Sequence, residues 1–315
     1  MSNYNELYRN YGIPSLPCGT FFDKVLWVSS VFGGADNDGQ GPDRPLATIG
    51  GVKGAWAKAV SGAAQKDTTH GTLVIVMKGH TESISAADYG SDLGSKKRVY
   101  TVGQGEGDER GLLTWTAATS TLLLDTDNLV LDNLRLALEP GTGTVTVAAP
   151  ITMSGNSCGL RRCQIDAGTD ANNLVTVGIT VTGDRCFMED VDLKSATAAE
   201  ATTFIRLTGA DRFRMDRCII EGATTSTTVG VVQFLTTASV NCRFRNSTFK
   251  NFKASSVHAV TGLAASSGYM IECNFGILDD ATLAGFVTPA NFQSYRCKTS
   301  NITGEAGGET STVSA

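Results

Sequence analysis

Histidine is scarce in this 315-residue chain. There are three, His70, His80 and His258, which thins the supply of general bases and metal ligands. Proline numbers only 7, and charged residues make up 18% of the sequence. No Lys/Arg block occurs and the formal net charge is −5, so nothing gathers nucleic acid and none is expected as a partner. No apolar run approaches the ~18–20 residues that cross a bilayer, so no membrane partner is expected either. The opening residues Met1-Ser-Asn-Tyr-Asn-Glu have neither a basic n-region nor an apolar h-region, and no secretory signal is expected. The three tryptophans, Trp27, Trp56 and Trp115, all fall early in the chain.

Eight cysteines are present, at 18, 158, 163, 186, 218, 242, 273 and 297, with no CxxC pair and no His partner at zinc spacing. Neither a metal nor an organic cofactor is expected. Without a signal for export, the thiols are expected to be reduced and packed.

Small and β-branched residues are abundant, with 35 glycines, a composition suited to stacked sheets. An internal repeat then decides the architecture. Seven segments share one pattern: 129-LVLDNLRL-136, 158-CGLRRCQI-165, 186-CFMEDVDL-193, 213-FRMDRCII-220, 242-CRFRNSTF-249, 268-GYMIECNF-275 and 292-FQSYRCKT-299. Positions one, three, six and eight are mostly apolar, and positions four, five and seven are mostly polar. The sixth position, Leu134, Cys163, Val191, Cys218, Ser247, Cys273 and Cys297, recurs at steps of 29, 28, 27, 29, 26 and 24 residues. A fixed period in this range marks a solenoid, propeller or array.

Alternation on both sides of a polar pair describes two short strands meeting at a corner, with period-two side chains pointing inward. A second β-rich stretch separates most units, at 144–153, 174–183, 202–209, 229–237 and 256–265. No inter-unit segment has clear 3.6-residue periodicity, which disfavours helical repeats. Three strands in about 25 residues read as an all-β, single-stranded parallel β-solenoid. Cys163, Cys218, Cys273 and Cys297 are then expected along one interior ladder, and Cys158, Cys186 and Cys242 along another. Neighbouring thiols fall within disulfide range by Cα spacing, but parallel Cβ vectors fit the bond poorly.

On these columns, over about residues 22–303, the sequence resembles the right-handed parallel β-helix (pectin-lyase-like) superfamily. That fold hosts lyases, hydrolases, adhesins and phage virion parts, so the resemblance implies the fold and leaves function open. An N-terminal order of strand (25–30), Gly/Asp loop (33–43), helix and strand (72–77) resembles the entry cap of phage-encoded β-helix proteins. The helix is expected to open at Thr48 or Gly50 and to present Ile49, Val52, Ala55, Trp56, Ala59 and Val60 on one face, across the open end of the coil. The expected division is an N-terminal arm (1–21), a cap with first coils (22–127), repeated coils (128–303) and a flexible tail (304–315).

Candidate chemistry is sparse. Asp279 and Asp280 are adjacent, which places them on opposite faces of a strand. Gly79-His80-Thr81-Glu82 is a faint echo of the Gly-His-Gly run of hydrolases with this fold. Asp132, Glu189, Asp216 and Glu272 share corner columns with Arg161, Arg162, Arg217, Arg245 and Arg296, which reads as compensating surface charge. The loop Asp36–Gly41 has the first half of a Ca²⁺ loop without its bidentate Glu and reads as a tight turn. The lateral stretches 197–203 and 221–230 are small and polar, with Val229, Val231, Val257 and Val260 as exposed apolar residues and no aromatic platform or basic groove. The expectation is therefore a non-enzymatic phage protein that decorates or cements the capsid on the outer head surface. The resemblance implies a homotrimer with the major capsid protein as partner. Tyr4, Leu7, Tyr8, Tyr11, Ile13 and Leu16 of the arm are the expected anchors. The alternative is a tailspike-type polysaccharide depolymerase or lyase, or a glycan-binding adhesin.

Overall fold

The computed structural model describes residues 22–60, 71–85, 89–90, 98–138, 145–167, 173–195, 203–222, 230–251, 258–277, 291–301 and 310–313. The described residues form a right-handed parallel β-helix with three lateral sheets. Sheet A has ten parallel strands, from Lys24–Val28 through Val130–Asp132, Phe187–Glu189 and Arg214–Asp216 to Asn291–Tyr295. A strand of sheet B follows each of these but the first after a corner, from Thr81–Ile84 to Lys298–Asn301. Sheet C, with six strands from Leu122–Leu124 to His258–Gly262, closes the coil. A further parallel pair, Val145–Val147 with Asn173–Val175, lies beside it. The strand Thr81–Ile84 has one buried residue and no apolar alternation, which is why the sequence pattern does not show it.

Register follows the repeat columns. Leu131, Leu160, Met188, Met215, Phe244 and Met270 stack on the inner side of sheet A, and Leu136, Ile165, Leu193, Ile220, Phe249 and Phe275 on that of sheet B. The sixth column turns inward at the corner between the two sheets. Its cysteines, and those of the first column, are buried free thiols. Cys18 lies outside the described residues. Toward the C-terminal end rings join the thiols and thioethers. Phe244 lies 6.0 to 6.5 Å from Phe213, Phe234 and Phe249, and Phe249 stacks on Phe275 at 5.4 Å.

The fifth column forms the corner by a backbone device. Asn133, Arg162, Asp190, Arg217, Asn246, Glu272 and Arg296 all have positive φ, between 49° and 56°. A second set, Asn128, Ser157, Arg185, Arg212 and Asn241, does the same immediately before the first column, where sheet C turns into sheet A. One left-handed residue reverses the chain in minimal length and lets the flanking residues face inward. For an arginine it costs of order 1–2 kcal/mol, offset by the packing it permits.

The N-terminal helix differs from expectation. It spans only Ala55–Val60. Residues 48–54 form turns, with Gly51 at φ +78°, and Val52 is 89% exposed, so it leaves the predicted apolar face. Ile49, Ala55, Trp56 and Ala59 are fully buried in the main core. The helix packs on the first two strands of sheet A, and the Trp56 indole donates to Thr101 Oγ1 at 2.9 Å. Val231 and Val260 are also buried, not exposed as read from sequence. At the far end Thr310–Val313 pairs antiparallel with Lys298–Asn301, so part of the predicted tail is strand.

Candidate functional site on the outer face of sheet A

Every second residue of sheet A points outward, and register sets these residues in two rows. One row runs Val130, Gly159, Phe187, Arg214, Arg243, Tyr269; the other runs Asp132, Arg161, Glu189, Asp216, Arg245, Ile271. A groove of about 270 Å³ lies between them, bounded by Tyr100, Arg161, Glu189, Asp216, Arg243 and Arg245. Gly159 is needed there, because a Cβ would lie 2.2 Å from the Phe187 ring. The ring is covered on its other side by the Arg214 guanidinium, 5.7 Å from its centre.

The end of the face toward the N-terminal coils is a buried charge network. Asp132 has no exposed side-chain surface; it accepts from Tyr100 Oη at 2.5 Å and from Arg162 through both Nε, at 2.7 Å, and a terminal nitrogen. Arg161 lies 3.9 Å from Asp132, 3.2 Å from Glu189 and 3.5 Å from the Tyr100 hydroxyl. Burial, with the Asp132 charge beside it, raises the Tyr100 pKa well above the ordinary phenol value. Arg217 then clamps Glu189 and Asp190 at 2.6 Å each and Asp216 at 3.1 Å. The hydrogen bonds Arg217 donates to Asp190 and Glu189 raise its pKa, so it remains a cation throughout the usual pH range.

The other end is different. Arg214 and Arg243 stand opposite each other on adjacent rungs, with Arg245 beside Asp216 on the same register, and none of the three has an ion-pair partner among the described residues. Tyr269 and Tyr295, both more than half exposed, continue the face toward the last coil. Charge compensation in the corner columns therefore holds for Arg161, Arg162, Arg217 and Arg296 (which pairs with Glu272 at 3.5 Å), but not for Arg245. The second column carried the missing signal: Phe187, Arg214, Arg243 and Tyr269 are aromatic or cationic at outward positions of consecutive units.

The remaining candidates separate. His80 and Glu82 form a buried pair at 3.1 Å, and Glu82 also accepts from Tyr89 Oη and the Ile49 and Gly50 amides. That echo of a hydrolase motif is a latch on the entry loop. In the Asp36–Gly41 loop Asp36 pairs with Lys53 and Asp38 with Arg44. Asp279, Asp280, His70 and the arm residues Tyr4, Leu7, Tyr8, Tyr11, Ile13 and Leu16 lie outside the described residues.

Fold and face together define a parallel β-helix with a mixed cationic and aromatic lateral groove. No protein family model and no curated protein sequence matches the chain. Among solved structures it is similar to a rhamnogalacturonan lyase (TM-score 0.43, 10% identity, 87% of each chain covered). It is also similar to the GH136 lacto-N-biosidase of Eubacterium ramulus (TM-score 0.37, 12% identity, 89% of this chain and 68% of that one). At such identities these are likenesses of chain path. The expectation of a non-enzymatic protein is corrected: sheet A gathers Arg214, Arg243 and Arg245, the rings of Tyr100 and Phe187 and the carboxylates of Glu189 and Asp216 around one groove.

Proposed function

We propose that the protein is a glycan-active enzyme of the polysaccharide-lyase type, with the outer face of sheet A as its site and an acidic polysaccharide as its substrate. The observation that carries this reading is the opposition of Arg214 and Arg243 beside Arg245, none of them in an ion pair among the described residues. Like charges opposed across a ladder are unfavourable by a few tenths of a kcal/mol to ~1 kcal/mol, a cost that an anionic ligand reverses. The guanidinium fork matches a carboxylate in two parallel hydrogen bonds. Tyr269 and Tyr295, both exposed, add flat apolar faces on which sugar rings would rest.

The arrangement suits elimination: Arg217 holds Glu189 and Asp216 together, at 2.6 and 3.1 Å, beside the arginines that line the same groove. In β-elimination a base takes the proton α to the uronate carboxylate, negative charge builds on that carboxylate, the glycosidic C–O bond on the β carbon breaks as the C=C bond forms, and the leaving oxygen takes a proton from solvent. Arg214, Arg243 and Arg245 would stabilise that charge, and Glu189 is the candidate acceptor.

Incubating the purified chain with polygalacturonate, alginate and a neutral glucan tests the reading. Unsaturated, ultraviolet-absorbing chain ends are expected from an acidic polymer alone, and they should be lost in Arg243→Ala and Glu189→Gln. Reducing ends without that absorbance would replace the lyase by a hydrolase. Saturable binding without product would make the protein an adhesin, and absence of binding to every acidic polymer would sink the site.

A further inference from the structure

Two pairs of thiols occupy neighbouring rungs of the interior ladders. Cys158 and Cys186 immediately precede the paired residues Gly159 and Phe187, and Cys273 and Cys297 precede the paired Asn274 and Lys298. The other described cysteines have no such neighbour. Cys163 lies between Leu134 and Val191, Cys218 between Val191 and Ser247, and Cys242 between Phe213 and Gly268. All are buried, Cys297 being 3% exposed.

Rung spacing separates the two pairs. Strands in a ladder lie ~4.8 Å apart, whereas a disulfide needs Cβ atoms about 3.5–4.5 Å apart, so oxidation must draw two rungs together by up to roughly 1 Å. Cys158 and Cys186 sit in the middle of the stack, with paired strands on both sides that resist such a movement. Cys297 follows Asn291–Tyr295, the last strand of sheet A, which has no further neighbour among the described residues. Asn291, Gln293, Ser294, Tyr295 and Arg296 are all exposed, and Ser294 stands where earlier coils place Leu, Met or Phe in the core. That strand is unpaired on its outer side among the described residues, whereas Lys298–Asn301, on the other side of Cys297, pairs with Thr310–Val313; the rung can therefore shift along its sheet A part, where exposed residues flank the buried thiol.

We propose that Cys273 and Cys297 form an oxidisable dithiol, with Cys297 as the attacking thiol and Cys273 as the resolving thiol, whose disulfide staples the last coil to the one before it. The Cys273 thiol hydrogen-bonds to Cys297, which lowers the Cys297 pKa and raises that of Cys273. The oxidant is a low-molecular-weight disulfide such as oxidised glutathione. The Cys297 thiolate attacks one of its sulfurs and breaks the S–S bond, and one glutathione leaves as thiolate and takes up a proton. Cys273 then loses its proton to solvent and attacks the Cys297 sulfur, displacing the second glutathione. The products are one protein disulfide and two glutathione thiols.

The test uses the full chain carrying Cys18→Ser, treated with oxidised glutathione under native conditions and analysed by intact mass and peptide mapping. Loss of two hydrogens with a peptide joining 273 to 297 is expected, while Cys158, Cys163, Cys186, Cys218 and Cys242 stay unmodified. Adding Cys273→Ser should leave one glutathione trapped on Cys297. The proposal fails if Cys297 retains glutathione while Cys273 is present, if 158 and 186 join first, or if Cys297 stays unmodified while the same reagent modifies it in denaturant.

Discussion

Tyr100 hands its phenolic hydrogen to Asp132 at 2.5 Å across one rung of sheet A, and the carboxylate that receives it has no exposed surface. The remaining lone pairs face Arg162 and Arg161, whose side chains are only 24% and 18% exposed. Removing the carboxylate takes this acceptor from the Tyr100 phenol and the Arg162 guanidinium, while Arg161 keeps Glu189 at 3.2 Å. Asp132→Ala should cost ~3–4 kcal/mol in urea unfolding, the lower part of the range for breaking a buried pair because both arginines keep some water.

Tyr100 also predicts an alkaline dependence. Its folded pKa is raised by burial and by Asp132, so the folded state holds the phenol neutral where the unfolded chain ionises it. The contribution is fully present below the ordinary phenol value of ~10 and is lost as pH climbs from there toward the folded value. Tyr100→Phe should lower stability at neutral pH by about 1.5–3 kcal/mol, the range for a hydrogen bond to a charged group. It should also flatten the decline above pH ~10, as read from urea midpoints across a pH series.

Arg243→Ala separates stability from recognition. Relief of the opposed pair with Arg214 should leave stability unchanged or raise it by up to ~1 kcal/mol. Affinity for an acidic polysaccharide should fall at least several-fold, measured by affinity electrophoresis alongside a thermal melt. A parallel drop in melting temperature would assign Arg243 a structural role instead.

Cys163, Cys218 and Cys242 should resist alkylation in the native state. Burial pushes each thiol up to about 12, far above the ordinary thiol range, and the thiolate is the reactive form. Pulsed labelling across a urea gradient should show all three gaining label together at the unfolding transition.

The corners make a backbone prediction. Arg185 is exposed, has φ 58°, and its amide donates to the Asp211 carbonyl. Arg185→Gly should shift stability by less than about 1 kcal/mol, because relief of the left-handed strain is set against the freedom glycine gains in the unfolded chain. Arg185→Val should cost ~1–2 kcal/mol, since a β-branched side chain fits that conformation worst. Equal melting curves for the two variants would remove the corner argument.

Inward and outward assignment was legible in the amino-acid order because it is local. Alternation about a polar pair places Leu131, Cys163 and Ile165 inside whatever the rest of the chain does, and a 24–29-residue period requires units to stack. Two local readings failed where tertiary contacts decided. The helix shrank to Ala55–Val60 because Gly50, Gly51 and Gly54 make turns and the core claims Ile49 and Trp56 from different directions. Thr81–Ile84 pairs into sheet B with little apolar signal, held by the chain before and after it.

The groove itself could not be read from columns. A column of mixed Asp, Glu and Arg looks neutral when counted, yet each charge meets only the rungs directly above and below it and the corner residues beside them. Arg217 finds three carboxylates, while Arg214 finds Phe187 on one side and Arg243 on the other. The sequence alone determined the coil, its interior ladders and the residues that face solvent, since a two-residue period acts within a single strand. Which outward side chains oppose one another, and so where positive charge stays uncancelled, was decided only by the register between strands more than twenty residues apart.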